Sequence, residues 1–141
     1  MVSIFTVVMP SPVTIVNAIA HTVTLTEVIV CNSHSNESQS GGAGGKGSAG
    51  NAASEYNLTS GSYRSCRNLL TTPVTILAKQ QTQVGALKMH DLVVSIKGEA
   101  LVAANNSKVP VQGTNDKKGE TKFYIMGPPN AQSYSVRRFI Q

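Results

Sequence analysis

Six Lys and Arg side chains in the second half of the sequence fall on segments that read as β-strands or their ends. Cations arranged along strands can form a face that binds the phosphates of a polyanion such as nucleic acid. The charge distribution favours the same chemistry, because residues 64–141 hold 11 basic and 4 acidic groups, whereas residues 1–63 hold 1 basic and 3 acidic groups. The residues predicted to contact nucleic acid are Lys79, Lys88, Lys97, Lys122, Arg137 and Arg138.

Aromatic side chains near these cations are few, which limits what such a face could recognise. The aromatic residues selected near them are Phe123, Tyr124 and Tyr134, and proteins that bind unpaired bases hold them on aromatic rings. We therefore predict contacts mainly to the nucleic-acid backbone, with low sequence selectivity and strong salt dependence. The six cations are also not expected to share one face of the sheet, because neighbouring strand residues such as Arg137 and Arg138 point to opposite faces.

The two cysteines of the chain, Cys31 and Cys66, allow two interpretations. A disulfide between them would close a loop of about 35 residues and stabilise the fold by roughly 3 to 4 kcal/mol on the chain-entropy estimate. Reduced thiols are the expectation for a cytosolic protein, and they are the preferred interpretation here. With His34 the cysteines make half of a zinc-binding spacing, but the second close pair of ligands is missing, so no metal site is predicted.

No combination of residues predicts catalysis. His90 and Asp91 are neighbours, but adjacent residues on a strand point to opposite faces and cannot act together. Residues 42–47 match G-x-G-x-x-G without the strand and helix that a nucleotide site needs on either side. We therefore expect neither enzyme activity nor a cofactor.

The elements that must position these residues are short β-branched runs between turn signals. In the run at 21–31, three threonines alternate with apolar residues and are predicted to face outwards. The run at 92–96 is continuously apolar, which predicts a central strand buried on both faces and ended by Gly98. Predicted strands cover 3–9, 13–16, 21–31 (with Val23, Leu25 and Ile29 facing inwards), 69–79, 86–97, 100–104 paired with 108–112, 122–126 (with Phe123 and Ile125 on one face) and 134–140.

A polar stretch at residues 32–63 interrupts this pattern between the two cysteines. It contains GGAGGKGSAG, which alone holds half of the 12 glycines of the chain. Loops this long inside a compact domain are usually functional or disordered. At 141 residues the chain is expected to be a single domain, 1–141, with 32–63 as an insert.

Together these patterns predict an all-β protein of eight or nine short antiparallel strands. A sandwich, a jelly roll and a barrel all fit, with meander-like connections in the C-terminal half. No apolar run is long enough to span a bilayer, so no membrane partner is expected. Residues 1–20 end in a small-x-small sequence, but they lack an early basic residue and contain Pro10 and Pro12, which disfavours a cleaved leader.

Two functions compete on this basis. The first is a structural, self-assembling protein of the viral or phage coat type, which contacts nucleic acid through its basic half and resides in a virion. The few charges, the strand-rich sequence and the missing catalytic set favour it. The second is a secreted or surface β-sandwich module, located outside the cell, that uses residues 32–63 as a recognition loop.

Overall fold

The computed structural model describes residues 11–32, 65–103 and 107–139, and these form nine β-strands and no helix. The predicted strand at 3–9 and residues 33–63 of the insert lie outside the described residues. The strands are β1 (Ser11–Asn17), β2 (Thr22–Asn32), β3 (Ser65–Asn68), β4 (Val74–Ile76), β5 (Gln81–Leu87), β6 (Asp91–Leu101), β7 (Lys108–Thr114), β8 (Lys122–Met126) and β9 (Tyr134–Arg137).

The strands form one mixed sheet that curls into a half-barrel, which confirms the predicted all-β class. Their order is β3-β2-β6-β7-β9-β8-β1-β5, and β4 pairs with the part of β2 that β3 leaves open. Most neighbours are antiparallel, but β1 pairs with β8 and β7 pairs with β9 in parallel. The prediction of an antiparallel sheet is wrong at these two pairs. The predicted C-terminal meander is also wrong, because β9 lies between β7 and β8.

The core lies on the inner side of the curled sheet and follows the alternation of the strands. On β8, Phe123 and Ile125 are buried together, as predicted, and they meet Ile15 of β1 and Val136 of β9 across the sheet. The intervening residues of these strands point to the other side, which we call the outer face. The outer face is therefore where the polar side chains of β1, β8 and β9 are presented.

A bulge in β2 changes which of its apolar residues reach the core. Leu25 pairs with Gly98 and Glu27 with Lys97, so Thr26 is an extra residue on β2. An extra residue moves every later side chain to the opposite face. Thus Val28 and Val30 join the core, whereas Ile29, which the alternation placed with Val23 and Leu25, turns to the outer face.

The apolar run at 92–96 lies on β6, between β2 and β7, as the prediction of a central strand requires. The run does not end at Gly98, because β6 continues to Leu101. A Cβ atom at Gly98 would lie 2.3 Å from the carbonyl oxygen of Thr24. Glycine is therefore required here for the close approach of β2 and is not a signal that the strand stops.

Two of the predicted strands are divided in the structure. Residues 69–79 hold only the three-residue strand β4, while β3 precedes them. Residues 86–97 contain the end of β5, a turn at 88–90 and the start of β6. The turn is closed by a hydrogen bond from the Asp91 amide to the Lys88 carbonyl, and His90 has a φ of 70°.

The side chain of Asn17 holds together the two edges of the half-barrel at one end. Residues 77–80 connect β4 at one edge directly to β5 at the other. Asn17 is fully buried, and its Nδ2 donates to the carbonyls of His21, Ile76 and Leu77 at 2.8, 3.0 and 3.2 Å. Its Oδ1 accepts from the Ile19 amide at 3.2 Å. We call this set of hydrogen bonds the Asn17 network.

Candidate nucleic-acid interface

Three of the six predicted cations lie on the outer face of the sheet. Lys97 of β6, Lys122 of β8 and Arg137 of β9 are exposed, and each of them has one buried neighbour in sequence, Ile96, Phe123 and Val136 respectively. Lys97 is opposite Gln112 of β7, which in turn is opposite Ser135 of β9. Two strand spacings, about 10 Å, therefore separate Lys97 from β9.

Lys122, Tyr124 and Arg137 form a compact group on β8 and β9, which we call the cationic strip. The Nζ of Lys122 lies 5.8 Å from the centroid of the Tyr124 ring. Arg137 is directly opposite Tyr124 in the antiparallel pair, and its Nε donates to the Oγ of Ser135 at 3.2 Å. Since opposite residues of such a pair are neighbours on one face, both cations flank a single aromatic ring.

No carboxylate lies on the strands that carry the cationic strip. The sequences of β1, β8 and β9 contain neither Asp nor Glu. The acidic groups of the described strands lie farther along the sheet, where Glu99 of β6 is 3.9 Å from the Nζ of Lys108. The cations of the strip therefore have no carboxylate on their own strands, and Glu120, two residues before Lys122, is the nearest acidic residue in sequence.

Arg138 follows β9 and lines an open cleft of about 270 Å³ at the end of the strand. Its guanidinium carbon lies 5.7 Å from the centroid of the Phe139 ring. Arg137 belongs to this cleft as well as to the cationic strip, so the two features are continuous. The lining residues are Thr114, Phe123, Val136, Arg137, Arg138 and Phe139.

The remaining two predicted cations, Lys79 and Lys88, lie in turns and not on strands. Lys79 has a φ of 65°, and its Nζ donates to the Ala18 carbonyl at 2.9 Å. Lys88 precedes β6, and its backbone amide donates to the Oδ2 of Asp91 at 2.8 Å. The structure therefore does not place these two lysines on the strands that carry the cationic strip.

The aromatic residues near these cations differ in how much of each ring is exposed, and the sequence did not indicate this difference. Phe123 and Tyr134 are buried in the core, so neither offers a ring face on the surface. Tyr124 is half-buried within the cationic strip. Phe139, which the sequence analysis did not select, is 54% exposed.

Cys31 and Cys66 are directly opposite each other on β2 and β3, and the structure joins them in a disulfide. This is the alternative that the sequence favoured less.

The same strand ends carry an ion pair that sequence reasoning missed. The Nη2 of Arg67 is 2.8 Å from the Oδ2 of Asp91, whose side chain is fully buried. Asn32 also donates to the Oδ1 of Asp91 at 3.0 Å.

The buried carboxyl of Asp91 is held in its charged form. Burial raises its pKa, but the hydrogen bonds from Arg67, the Lys88 amide and Asn32 outweigh burial and leave the pKa below its ordinary value of 3.8. The Coulomb attraction of Arg67 acts in the same direction. Arg67, Asp91 and the disulfide therefore fasten β3 to β2 and β6 at the two ends of the insert.

Within residues 11–32, 65–103 and 107–139, no group of three or more His, Cys, Asp or Glu side chains is arranged to hold a metal ion. The same ranges contain no helix long and apolar enough to cross a membrane.

The fold and the cationic strip define a small all-β protein with a half-barrel sheet whose strands β8 and β9 carry basic residues and no carboxylate. No protein-family description, no curated protein and no solved structure matches the chain. A half-barrel sheet is compatible with many activities, so function has to be argued from the site.

Proposed function

We propose that this chain is a structural protein that assembles with copies of itself and contacts the nucleic-acid backbone through the cationic strip, as a small viral or phage coat protein does. The observation that carries the proposal is the pairing of Lys122 and Arg137 around Tyr124 on strands without any carboxylate. Neighbouring cations on a rigid sheet are suited to phosphates, because each contact releases counterions from the nucleic acid.

The self-assembly part of the proposal is supported by the edge of the sheet at β5. Among the described strands β5 pairs only with β1. Its sequence, QTQVGAL, contains neither a charged residue nor a proline, two devices that block pairing between sheet edges; a third, a bulge, is present at Val84 and Gly85, so the regular part of the edge is residues 81–83. A strand of a second copy could therefore add to this edge.

The direct test of the proposed function is the size and content of the purified full-length protein. We expect mass photometry to show a closed or filamentous assembly, with an absorbance ratio at 260 and 280 nm that indicates bound nucleic acid. High salt should release the nucleic acid, because phosphate contacts are salt-dependent. A clean monomer free of nucleic acid at all protein concentrations would refute the proposal.

Removing both cations of the strip, Lys122→Gln with Arg137→Gln, is expected to weaken binding to a 20-nucleotide oligonucleotide. Two phosphate contacts fewer should make the slope of log K against log salt less steep by about 1.4 for this single strand. Fluorescence anisotropy at several salt concentrations measures both quantities.

The matched control for this variant is Lys88→Gln with Lys108→Gln, which removes the same charge elsewhere. Lys88 lies in a turn, and Lys108 is six residues along β7 from Thr114, roughly 20 Å at the rise of a strand. The control should keep the wild-type salt slope. An equal change of slope in both double variants would mean that net charge, and not the strip, sets the affinity.

Gln83→Lys is expected to reduce assembly without weakening nucleic-acid binding. Gln83 is exposed on β5 and is opposite Thr14, which is itself opposite Lys122. A lysine at this position charges the sheet edge and also enlarges the basic surface. Gln112→Lys adds the same charge to the interior strand β7 and serves as the control. Size-exclusion chromatography should show smaller species for the β5 variant alone, and unchanged assembly would exclude this edge as the contact.

A secreted or surface binding module is the second candidate, and the disulfide at the base of the insert favours it. A recognition loop needs fixed ends, and Cys31–Cys66 together with Arg67–Asp91 fixes both ends of this one. The two candidates differ in oligomeric state. A monomer whose Cys31–Cys66 bond is intact in native material, seen by mass spectrometry with and without reductant, would favour the module.

A further inference from the structure

Phe139 differs from the other described aromatic residues in being presented directly on the surface. It is 54% exposed, whereas Phe123 is only 2% exposed. The guanidinium of Arg138 lies beside its ring at 5.7 Å, a distance at which a cation is attracted to the ring face. The ring is thus held next to a positive charge while much of its surface remains open.

The cleft next to Phe139 has the lining of a site for a flat, partly apolar group. Phe123 and Val136 are buried and reach the cleft only with small apolar areas, so its exposed ring is that of Phe139, while Thr114 contributes a hydroxyl group and the two arginines bring positive charge. Its volume of about 270 Å³ is at or below the lower end of the range for drug-sized ligands, so it suits one small planar ring better than an extended molecule.

The cleft is continuous with the cationic strip through Arg137, which belongs to both. A backbone phosphate at Arg137 would bring the attached base to the end of β9, where Phe139 and the cleft lie. In a duplex that base is paired and stacked, and it cannot enter the cleft without being extruded at a cost of a few kcal/mol.

We propose that the cleft at the end of β9 receives one unpaired base, stacked on Phe139, so that the protein binds single-stranded nucleic acid in preference to duplex. The inference rests on the proposed contact between the cationic strip and nucleic acid, and it adds that the preferred nucleic acid is single-stranded. Stacking tolerates every base, because each has a flat π face, so selectivity for strandedness arises without selectivity for sequence.

The test compares a 15-nucleotide oligo-dT with a 15-base-pair duplex by fluorescence anisotropy at several salt concentrations, using full-length protein. Wild type should bind the single strand about ten-fold more tightly or better. Phe139→Ala should weaken single-strand binding by about five-fold or more, which corresponds to the loss of one stacked base. The salt slope and the duplex affinity should not change, since no phosphate contact is removed. Phe139→Trp should retain the preference.

Met89→Ala is the matched control, because Met89 is 73% exposed in the turn before β6 and lies outside the cleft. It should leave both affinities unchanged. If Phe139→Ala affects neither ligand, or weakens both equally, the stacking site is refuted. The proposed function then still stands, provided that Lys122→Gln with Arg137→Gln weakens both ligands. If that double variant also has no effect, both proposals fail.

Discussion

Replacing Arg67 by Met is expected to lower the free energy of unfolding by about 3 kcal/mol at pH 7, because it leaves the buried Asp91 carboxylate without its cation. Asp91 is fully buried, whereas the side chain of Arg67 is 39% exposed, which places the expected loss at the lower end for a broken buried pair. Against a typical stability of about 5 to 15 kcal/mol, this loss is large.

The pH dependence of the loss distinguishes this explanation from a simple packing defect. In the wild type the pKa of Asp91 is lowered, so the pair stabilises the fold fully above pH 3.8, and this contribution is lost as the pH falls through the lower pKa of the folded state. Without Arg67, two of the interactions that lower that pKa are lost and burial is opposed only by the Lys88 amide and Asn32, so the pKa should rise. The folded variant then takes up a proton more readily, so the difference from wild type should shrink as the pH falls from 7 towards 4.

Urea unfolding followed by circular dichroism at pH 7 and pH 4 measures both effects. The control is Arg67→Met combined with Asp91→Asn, which has no buried charge and should recover much of the loss with little dependence on pH. A loss for Arg67→Met that is the same at both pH values would show that Asp91 does not depend on this partner.

Replacing Asn17 by Ala is expected to cost about 3 kcal/mol, because it leaves several buried backbone groups without hydrogen-bond partners. Asn17 is fully buried, and its network holds the connection between β4 and β5 at the point where the two sheet edges meet. The loss should appear as a lower urea midpoint with weaker protection of the Ile19 amide against hydrogen exchange.

Asn115→Ala provides a matched comparison for the Asn17 variant. Asn115 also donates to two carbonyls, those of Val93 and Lys117, at 2.8 and 3.1 Å. It is only partly buried, so water can replace some of these bonds, and the expected loss is about 1 kcal/mol. Equal losses for the two variants would mean that Asn17 does not hold the sheet edges together.

Local alternation was enough to predict β2, β8 and the buried run at 92–96 of β6, because each of them has a strong apolar pattern. It could not predict the bulge at Thr26, since a bulge depends on how β2 meets β6 and not on the sequence of β2 alone. Gly98 was misread for a related reason: glycine ends strands in some settings and permits close packing in others. The strand β5 was missed because its polar sequence, QTQVGAL, has only one β-branched apolar residue.

The candidate site was predicted in part. The sequence placed Lys122 and Arg137 on strands, and the structure brings them together around Tyr124 because β8 and β9 are antiparallel neighbours. Lys79 and Lys88 were misassigned, since the turns that hold them depend on a positive φ at Lys79 and His90, and neither turn contains a glycine or proline that would mark it. Arg67 and Asp91 are 24 residues apart, and no local pattern links them.

The parallel pairing of β1 with β8 has a consequence for how the chain is made. Thr14 lies opposite Lys122, so β1 cannot acquire this neighbour until nearly all of the described chain has left the ribosome. At about 5 to 20 residues per second, roughly 100 residues take about 5 to 20 s, whereas a hairpin closes in about 1 to 10 μs. Throughout that interval the nascent chain carries an apolar strand that a chaperone, or a neighbouring nascent chain on the same messenger RNA, can capture first.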